Sequence, residues 1–400
     1  MVEPRNSAGG EGSPDVHPET AAVLAGRTDG ERSLAPVLYP SSTFEFYTVE
    51  EGRSQATSIA PDRFYSRYGN PTINAFEDTI AELEGAEAAR AFASGMGAIS
   101  AVVLGICSSG DHIVAQRQLY AGTQLFLQTA CPRFGIDVTF VDGTQPGAFA
   151  EAVVPGKTML VLAETPANPR LDIIDLDGLG AIVNALTVVD STFATPMGQT
   201  PLAHGVDLVL HSATKGIAGH NDATIGVVAG SEDLMSWLWG FAVLHGANAS
   251  PYDAYNAHRG VRTLDVRLRQ QAESARLLAD FLEAHDSVSD VRYPGLASHP
   301  QHDLAVRQMQ SMGGLLTFDL AKGLDAGRRF VEATSIARQA TSLGGPETLL
   351  CHSATTTHVS LTPEELEASG IGEGTVRVSC GLENVDDLIA DFGRGLDAAG

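Results

Sequence analysis

Short apolar runs alternate with helical patterns between residues 74 and 230. The segment 74–100 predicts a helix, a glycine stop, a short strand and the start of a second helix. Further runs are rich in β-branched residues, which predicts strands: HIVAQ, VTFVD, MLVLAE, LTVVDST, VDLVLHS and IGVVAG. Because strands that alternate with helices form βαβ units, we expect an α/β fold with a mainly parallel sheet covered on both faces.

The C-terminal part of the chain has a different pattern. Residues 260–285 are amphipathic and predict a long connecting helix, which a segment with Pro and Gly follows. Strand-like GGLLTFDL, helix-like DAGRRFVEATSI, and the pair TSLGG and TVRVSCGL come next, and this order is typical of a smaller α+β domain. We therefore divide the chain into an N-terminal arm over 1–72, a large domain over 73–258, and a connector helix with a small domain over 259–400.

Composition and charge restrict the class of protein. A chain of 400 residues is long for one core, which favours two domains. The net charge of −24 argues against nucleic acid or an anionic membrane as a partner, since both would repel it. Residues 1–17 lack an apolar stretch and predict a mobile tail, not a signal peptide. The four cysteines are widely separated, which is typical of reduced thiols and predicts a cytoplasmic protein.

One of the few lysines stands directly after a predicted strand. The chain has only Lys157, Lys215 and Lys322, and Lys215 follows VDLVLHSAT among apolar and small residues. A lysine is ordinarily a solvated surface charge. Burial at this position would favour the neutral amine, which is the form that a Schiff-base lysine needs.

Two other segments add to this chemistry. Asp190 ends the strand LTVVD, although a lone aspartate there could equally cap a helix or a turn. Gly95 and Met96, in FASGMGAIS, would offer N–H groups at a helix N-terminus, although such a glycine pattern alone mostly indicates a tight turn. A lysine, an acid for the ring nitrogen and a phosphate cradle are together what pyridoxal 5′-phosphate requires. Ligands on parallel sheets lie at the carboxyl ends of the strands, where these residues are expected.

Seven motifs carry a resemblance to a known family: YSRYGNPT, FASGMGA, ETPANP, VVDSTFATP, HSATKGIAGH, SLGGPET and GTVRVSCGLENVDDLIADF. The chain resembles the Cys/Met-metabolism family of pyridoxal phosphate enzymes from about residue 20 to 395, in the family's order and near its spacing. The resemblance implies the aminotransferase-like fold of type I, in which the large domain binds pyridoxal 5′-phosphate. It implies an amino acid as the substrate.

The resemblance also implies roles for individual residues. Lys215 is similar to the lysine that forms the Schiff base, Asp190 to the partner of the pyridinium nitrogen, and Tyr120 to the tyrosine that stacks on the ring and helps proton transfer. The residues implied to bind the phosphate are Gly95, Met96, Ser212 and Thr214, with Tyr65 and Arg67 reaching the phosphate of a neighbouring subunit. The residues implied to bind the substrate carboxylate are Asn168, Ser342 and Arg377. Shared sites of this kind imply that the arm over 1–72 contacts a neighbouring subunit, in a dimer or, as is usual in the family, a homotetramer.

Two positions bear on the reaction. Family members that use cystathionine typically have a glutamate where this chain has Thr341, so the second ammonium of cystathionine lacks a partner and the neutral tail of methionine fits better. Methionine γ-lyases usually have cysteine where this chain has Gly122, as the synthases do. We expect γ-elimination on a sulfur amino acid, foremost L-methionine to 2-oxobutanoate, methanethiol and ammonia. The alternatives are γ-replacement on an O-acylhomoserine and cystathionine γ-lyase activity.

Other departures from the family pattern change the surroundings of the site without removing a catalytic group. Gly216 follows the lysine where tyrosine is usual, Ser191 follows the aspartate where asparagine is common, and Ala121 replaces a glycine after Tyr120.

Rival classes fit less well. A nicotinamide-dependent dehydrogenase would require a third glycine in SGMGAIS, and no G-x-S-x-G elbow of a serine hydrolase is present. Cys351, His352 and His358 cluster without a fourth ligand at a recognisable spacing, so we expect no metal site. A relative that binds the cofactor without catalysis is a further alternative.

Overall fold

The computed structural model describes residues 16–27, 32–356, 359, 366 and 370–400, so the predicted tail over 1–17 lies almost entirely outside the described residues. The helices of this part are α1 (Pro18–Leu24), α2 (Val49–Thr57), α3 (Pro71–Glu84), α4 (Gly95–Ile106), α5 (Ala121–Thr129), α6 (Ala148–Ala152), α7 (Leu176–Gly180), α8 (Thr195–Gly198), α9 (Glu232–His245), α10 (Pro251–Val261), α11 (Leu264–Glu283), α12 (His302–Gln308), α13 (Gly323–Ala333) and α14 (Val385–Ala399). The strands are β1 (Ala88–Phe92), β2 (His112–Gln116), β3 (Asp137–Val141), β4 (Thr158–Glu164), β5 (Leu186–Asp190), β6 (Leu208–His211), β7 (Gly226–Gly230), β8 (Val288–Arg292), β9 (Leu315–Leu320), β10 (Arg338–Gln339), β11 (Leu349–His352) and β12 (Thr375–Ser379).

The larger sheet has the strand order β1-β7-β6-β5-β4-β2-β3. Strands β2 to β6 run parallel, whereas β7 is antiparallel to both β6 and β1. Each run that the sequence predicts as a strand in this region is a strand, which confirms the mainly parallel sheet. Glu164 and Asp190, the last residues of β4 and β5, are paired in register, so their side chains leave the same edge of the sheet.

Helices cover both faces of this sheet, as expected. On one face α4 and α9 pack on the strands through residues such as Ile113, Leu160 and Met235. On the other face α3 and α10 bury residues such as Ile80 and Val209. The predicted glycine stop after the first of these helices is confirmed, because Gly85 caps α3 with a φ of 65°. With both faces covered, polar chemistry is confined to the strand ends.

The smaller sheet has the order β10-β11-β12-β9-β8. Its core contains Phe318, Phe330 and Phe392, whose ring centroids lie 5.1–6.4 Å apart. The expected α+β arrangement is confirmed, the helix predicted over 260–285 is α11, and the predicted boundary at 258–259 falls within α10.

Two strands of the smaller sheet escape the sequence pattern. Only one residue of β8 is fully buried, so its sequence VSDVR shows no apolar run. Strand β11 has four residues, which is too short for a periodic signal. The segment TSLGG is a loop that precedes β11. Of the helices that the structure describes, none is long and apolar enough to cross a lipid bilayer.

Candidate active site

Lys215 lies in the turn that follows β6. Its Nζ donates a hydrogen bond to the hydroxyl of Ser342 at 2.9 Å, which joins the large domain to a loop of the small domain. Burial, together with the positive charge of Arg377, lowers the pKa of Lys215 to about 8. The structure therefore gives this amine the property that the sequence analysis expects, namely a substantial neutral fraction near physiological pH.

Asp190 occupies the end of the neighbouring strand β5. One carboxyl oxygen accepts hydrogen bonds from the N–H and the hydroxyl of Thr192, at 3.0 and 2.5 Å. The Thr192 hydroxyl in turn accepts from the N–H of Ser212, at 2.8 Å. Burial raises the pKa of Asp190, and the hydrogen bonds from Thr192 oppose that rise. A buried carboxylate of this kind is stabilised by a cation, which a protonated ring nitrogen would supply.

Glu164, at the end of β4, is a buried residue of this site that the sequence analysis missed. Its two oxygens accept hydrogen bonds from the N–H groups of Tyr120 and Asn168, both at 2.8 Å. Burial and the nearby charge of Asp190 raise the pKa of Glu164 to about 8. It thereby connects the expected stacking residue to an expected substrate-binding residue. The signal was available, since Glu164 ends an apolar run as Asp190 does.

The expected phosphate cradle is partly assembled. Ser94 caps α4 by accepting from the N–H of Gly97 at 2.9 Å, and the N–H groups of Gly95 and Met96 make no hydrogen bond with any described residue. A Cβ at Gly95 would lie 2.7 Å from the Cβ of Ser212, so only glycine allows the two segments to meet. A helix N-terminus with such N–H groups binds anions readily.

Thr214, the remaining residue assigned to the cradle, is already engaged. Its hydroxyl donates to the carbonyl of Ile225 at 3.1 Å and accepts from the Ile225 N–H at 2.9 Å. It would have to rotate to donate to a phosphate.

The predicted substrate side is brought together by β12. Arg377 is buried and donates to the side-chain oxygen of Asn168 at 2.7 Å and to the carbonyl of Ser342 at 3.0 Å. Ser342 has a left-handed φ of 84°, which directs its carbonyl at Arg377 and its hydroxyl at Lys215. Arg377 forms no salt bridge with a described carboxylate, and the planar guanidinium suits bidentate binding of a ligand carboxylate.

Tyr120 precedes α5 and is 46% exposed. A Cβ added to Gly122 would lie 2.5 Å from Cε1 of Tyr120. The ring thus lies across the position where a larger residue 122 would place its side chain. A larger residue at position 122 would therefore change the orientation of the Tyr120 ring.

Tyr65 and Arg67 contact each other away from this cluster. The guanidinium of Arg67 lies 5.4 Å from the ring centroid of Tyr65 and 5.0 Å from that of Tyr68, and it donates to the carbonyl of Val243 at 2.6 Å. Neither residue hydrogen-bonds to the Lys215 cluster within the described chain.

The departures from the family pattern are built into the surroundings of Lys215. A Cβ at Gly216 would lie 2.9 Å from Cγ2 of Thr195, and a Cβ at Gly344 would lie 2.5 Å from the Gly216 nitrogen. The hydroxyl of Ser191 accepts from Gln199 at 3.1 Å. A side chain at position 216 would therefore meet Thr195 in its present position, and a side chain at position 344 would meet the backbone of Gly216.

The cluster considered as a metal site binds other partners. Cys351 hydrogen-bonds to Thr356 at 2.7 Å, and His352 contacts Thr355 and the carbonyl of Glu373 at 2.9 and 2.7 Å. His358 lies outside the described residues. Among the residues described, no group of three or more His, Cys, Asp and Glu side chains could hold a metal ion.

The arrangement fits pyridoxal 5′-phosphate on structural grounds. Gly95, Met96 and Ser212 would hold the phosphate, Asp190 would contact the ring nitrogen, and Lys215 would provide the amine. When bound, the cofactor withdraws electrons from the carbon atoms of an amino-acid substrate.

Comparison with known proteins agrees with this geometry. The family described as "Cys/Met metabolism PLP-dependent enzyme" matches residues 19–397. An L-methionine gamma-lyase of Porphyromonas gingivalis is 43% identical over 371 residues, covering 91% of this chain and 93% of the relative. An O-succinylhomoserine sulfhydrylase of Pseudomonas aeruginosa is 41% identical over 384 residues, covering 95% of each chain. The cystathionine gamma synthase of Xanthomonas oryzae pv. oryzae, solved in complex with cystathionine, has a TM-score of 0.90 at 38% identity and covers 96% of this chain and 98% of that one. These matches confirm the fold, the cofactor and the resemblance expected from the sequence, and the chain belongs to the Cys/Met-metabolism family of pyridoxal-phosphate-dependent enzymes.

Proposed function

We propose that this enzyme catalyses γ-elimination on a sulfur amino acid, foremost L-methionine, giving 2-oxobutanoate, methanethiol and ammonia. The observation that carries this proposal is the pairing of a carboxylate-binding guanidinium, Arg377, with the neutral and exposed Thr341 one residue before Ser342. Such a site binds the α-carboxylate of a substrate but offers no acid at position 341 for a second ammonium. The similarity to L-methionine gamma-lyases supports the same substrate class.

The residues of this chain divide the work between binding and proton transfer. Arg377, held by Asn168 and Ser342, binds the substrate carboxylate and thereby fixes Cα and Cβ relative to Lys215. The Lys215 amine, whose pKa is lowered to about 8, takes the proton from Cα and hands it on, and, neutral again, it then takes a proton from Cβ. Tyr120, whose ring is partly exposed, donates a proton to the departing sulfur.

The test is release of 2-oxobutanoate from L-methionine by the cofactor-loaded protein without added thiol. We expect release that Lys215→Ala abolishes, with Lys157→Ala as the matched control because Lys157 lies in an exposed ion pair with Asp137. A cofactor-loaded protein that releases no oxo acid from methionine would contradict the proposed substrate.

The alternative, γ-replacement on an O-acylhomoserine, is favoured by Gly122 and the Tyr120 ring that lies across it. The similar O-succinylhomoserine sulfhydrylase supports this candidate. Homocysteine formation from O-succinylhomoserine and sulfide, at a rate above methionine cleavage, would establish replacement as the main reaction.

We also propose a homotetramer in which Tyr65 and Arg67 of one subunit complete the phosphate site of another. Their separation from the Lys215 cluster in a single chain supports this arrangement. Light scattering measures the mass of the oligomer. Arg67→Ala should weaken retention of the cofactor, although Lys215 itself is still present to bind it. We place the enzyme in the cytoplasm, in keeping with four buried free cysteines.

A further inference from the structure

The connector helix α11 carries a buried guanidinium that binds the turn of the catalytic lysine. Nη1 of Arg267 donates to the carbonyl of Gly216 at 2.8 Å, and Nη2 donates to the carbonyls of Ile217 and Gly260 at 3.2 and 2.8 Å. Gly216 and Ile217 directly follow Lys215. The helix thus holds the backbone on which the lysine stands.

Arg267 is only 4% exposed, and no described carboxylate pairs with it. Burial lowers its pKa to about 10, so it remains charged at neutral pH. A buried charge is tolerated where polar groups satisfy it, and here the carbonyl dipoles of the turn do so. A Cβ at Gly219, which has a φ of 65°, would lie 1.8 Å from Nη1, so the glycine makes room for the guanidinium.

A second side chain on the same face of α11 binds the other half of the site. Gln271 stands one helical turn after Arg267, and its Nε2 donates to the carbonyl of Gly345 at 2.9 Å. Gly345 belongs to the loop that contains Ser342. A Cβ at Gly314 would lie 2.6 Å from the Cβ of Gln271, so close approach is required here too.

The two backbone segments held by α11 contact each other. Nζ of Lys215 donates to Ser342, and Gly344 meets Gly216 so closely that a Cβ would lie 2.5 Å from the Gly216 nitrogen. We propose that Arg267 and Gln271 are positioning residues that hold the Lys215 turn and the Ser342 loop against each other.

We call Arg267 and Gln271 together the clamp, and its loss is expected to change the surroundings of the lysine amine. Without the guanidinium, the carbonyls of the turn would need water as a partner, and the turn would separate from the loop. Water would then reach Nζ and stabilise its protonated form. The charged groups that face the cluster are Arg377 from β12 and the carboxyls of Asp190 and Glu164 from β5 and β4, and they are unchanged by substitution of Arg267.

The test measures the neutral fraction of each lysine. The full-length protein, freed of cofactor, is reductively methylated with formaldehyde and cyanoborohydride at several pH values, and peptide mass spectrometry resolves Lys215 from Lys157 and Lys322, which serve as internal standards. The variants are Arg267→Met, Gln271→Met and, as the matched control, Arg269→Met. Arg269 is on the same helix, with its side chain 71% exposed.

We expect Arg267→Met to raise the methylation midpoint of Lys215 by about one pH unit, which is about a tenfold loss of neutral amine. The other lysines and the Arg269→Met protein should keep their midpoints. A folded Arg267→Met protein, checked by near-UV circular dichroism, with the wild-type midpoint at Lys215 would overturn the proposal. If that variant does not fold, Arg267→Lys and Gln271→Met decide: a smaller upward movement supports the clamp, and unchanged midpoints in both refute it.

A kinetic measurement on the cofactor-loaded enzyme rests on the proposed function. Arg267→Met should lower kcat for methionine cleavage by about tenfold, because Lys215 transfers the protons of the reaction and its neutral fraction would fall. KM should change little, because the carboxylate-binding residues are intact. Gln271→Met should chiefly raise KM, because it loosens the Ser342 loop. Failure of the proposed function would appear as an inactive wild type, whereas the methylation result does not depend on activity.

Discussion

Replacement of Lys215 by methionine is expected to stabilise the cofactor-free protein at neutral pH. In the folded chain burial and Arg377 lower the pKa of this amine from 10.5 to about 8. At about 1.4 kcal/mol per pKa unit, the cost of keeping the amine protonated in the folded state is about 3 kcal/mol at pH 7. Methionine fills a similar volume without a charge. Loss of the hydrogen bond to Ser342 offsets about 1 kcal/mol, which leaves a gain of about 2 kcal/mol in the free energy of unfolding.

The pH dependence identifies the source of this gain. Because the folded-state pKa is lowered, the unfolded wild-type chain binds more protons than the folded chain between the two pKa values, about 8 and 10.5. The stability of the wild type therefore rises with pH through this window, and it lacks that contribution below pH 8. The advantage of Lys215→Met should be full at pH 7, shrink above pH 8, vanish between about pH 9.5 and pH 10, and reverse to about 1 kcal/mol in favour of the wild type near pH 10.5, where only the lost hydrogen bond to Ser342 remains.

The assay is thermal unfolding of the cofactor-free proteins across this range, with Lys157→Met as the matched control at an exposed lysine. For a chain of this length about 2 kcal/mol corresponds to a rise of about 2 °C in Tm. The control should change little at any pH. If the wild type is at least as stable as Lys215→Met at pH 7, the argument that burial of the protonated Lys215 amine destabilises the fold is refuted.

Three further substitutions test individual contacts of the site. Glu164→Gln keeps the shape of the side chain but can accept only one of the two hydrogen bonds from the N–H groups of Tyr120 and Asn168. The free energy of unfolding, measured by denaturant titration, should therefore fall by about 1–3 kcal/mol. Unchanged stability would show that Glu164 does not anchor these two backbone groups. Gly122→Ala should displace the Tyr120 ring, because the new Cβ would lie 2.5 Å from it, and lower kcat more than it changes KM; a kcat equal to that of the wild type would show that the ring position is unimportant. Arg377→Lys loses the bidentate fork, so KM for an amino-acid substrate should rise by about tenfold or more with a smaller change in kcat. A desamino competitor, which keeps the carboxylate, should bind the variant more weakly than the wild type. A decarboxylated competitor should bind both proteins equally, and weaker binding of it would indicate general damage to the site.

The sequence predicted most of the fold because the central strands are apolar on both faces. Residues such as Ile113, Val161 and Leu210 are fully buried, and fully buried strands of a parallel sheet read as continuous apolar runs. Strand β8 lacks that environment, because residues such as Ser289 and Asp290 remain in contact with water, and its sequence gives no such signal. Position in the sheet, not propensity, decides which strands can be seen in the sequence.

The candidate site was predictable where a residue is required by its chemical type. Lys215, Asp190 and Arg377 have charges that their positions after or within apolar runs make conspicuous, and the structure places all three in buried surroundings. The role of Arg267 was not predictable, because a basic residue on an amphipathic helix is ordinarily solvated. Only the fold turns this side of α11 towards the carbonyls that follow Lys215.

Glu164 and Asp190 show why a strand-end acid cannot be assigned a role from its type alone. The two residues are paired in register on neighbouring strands, and both are buried. Burial and the nearby charge of Asp190 raise the pKa of Glu164 to about 8, so the Glu164 carboxyl is largely protonated at neutral pH and the pair avoids carrying two negative charges. Glu164 is left to accept hydrogen bonds from two backbone N–H groups, a task that a largely neutral carboxyl can perform. The difference between these two acids arises from their neighbours across the sheet, which the order of residues along the chain does not specify.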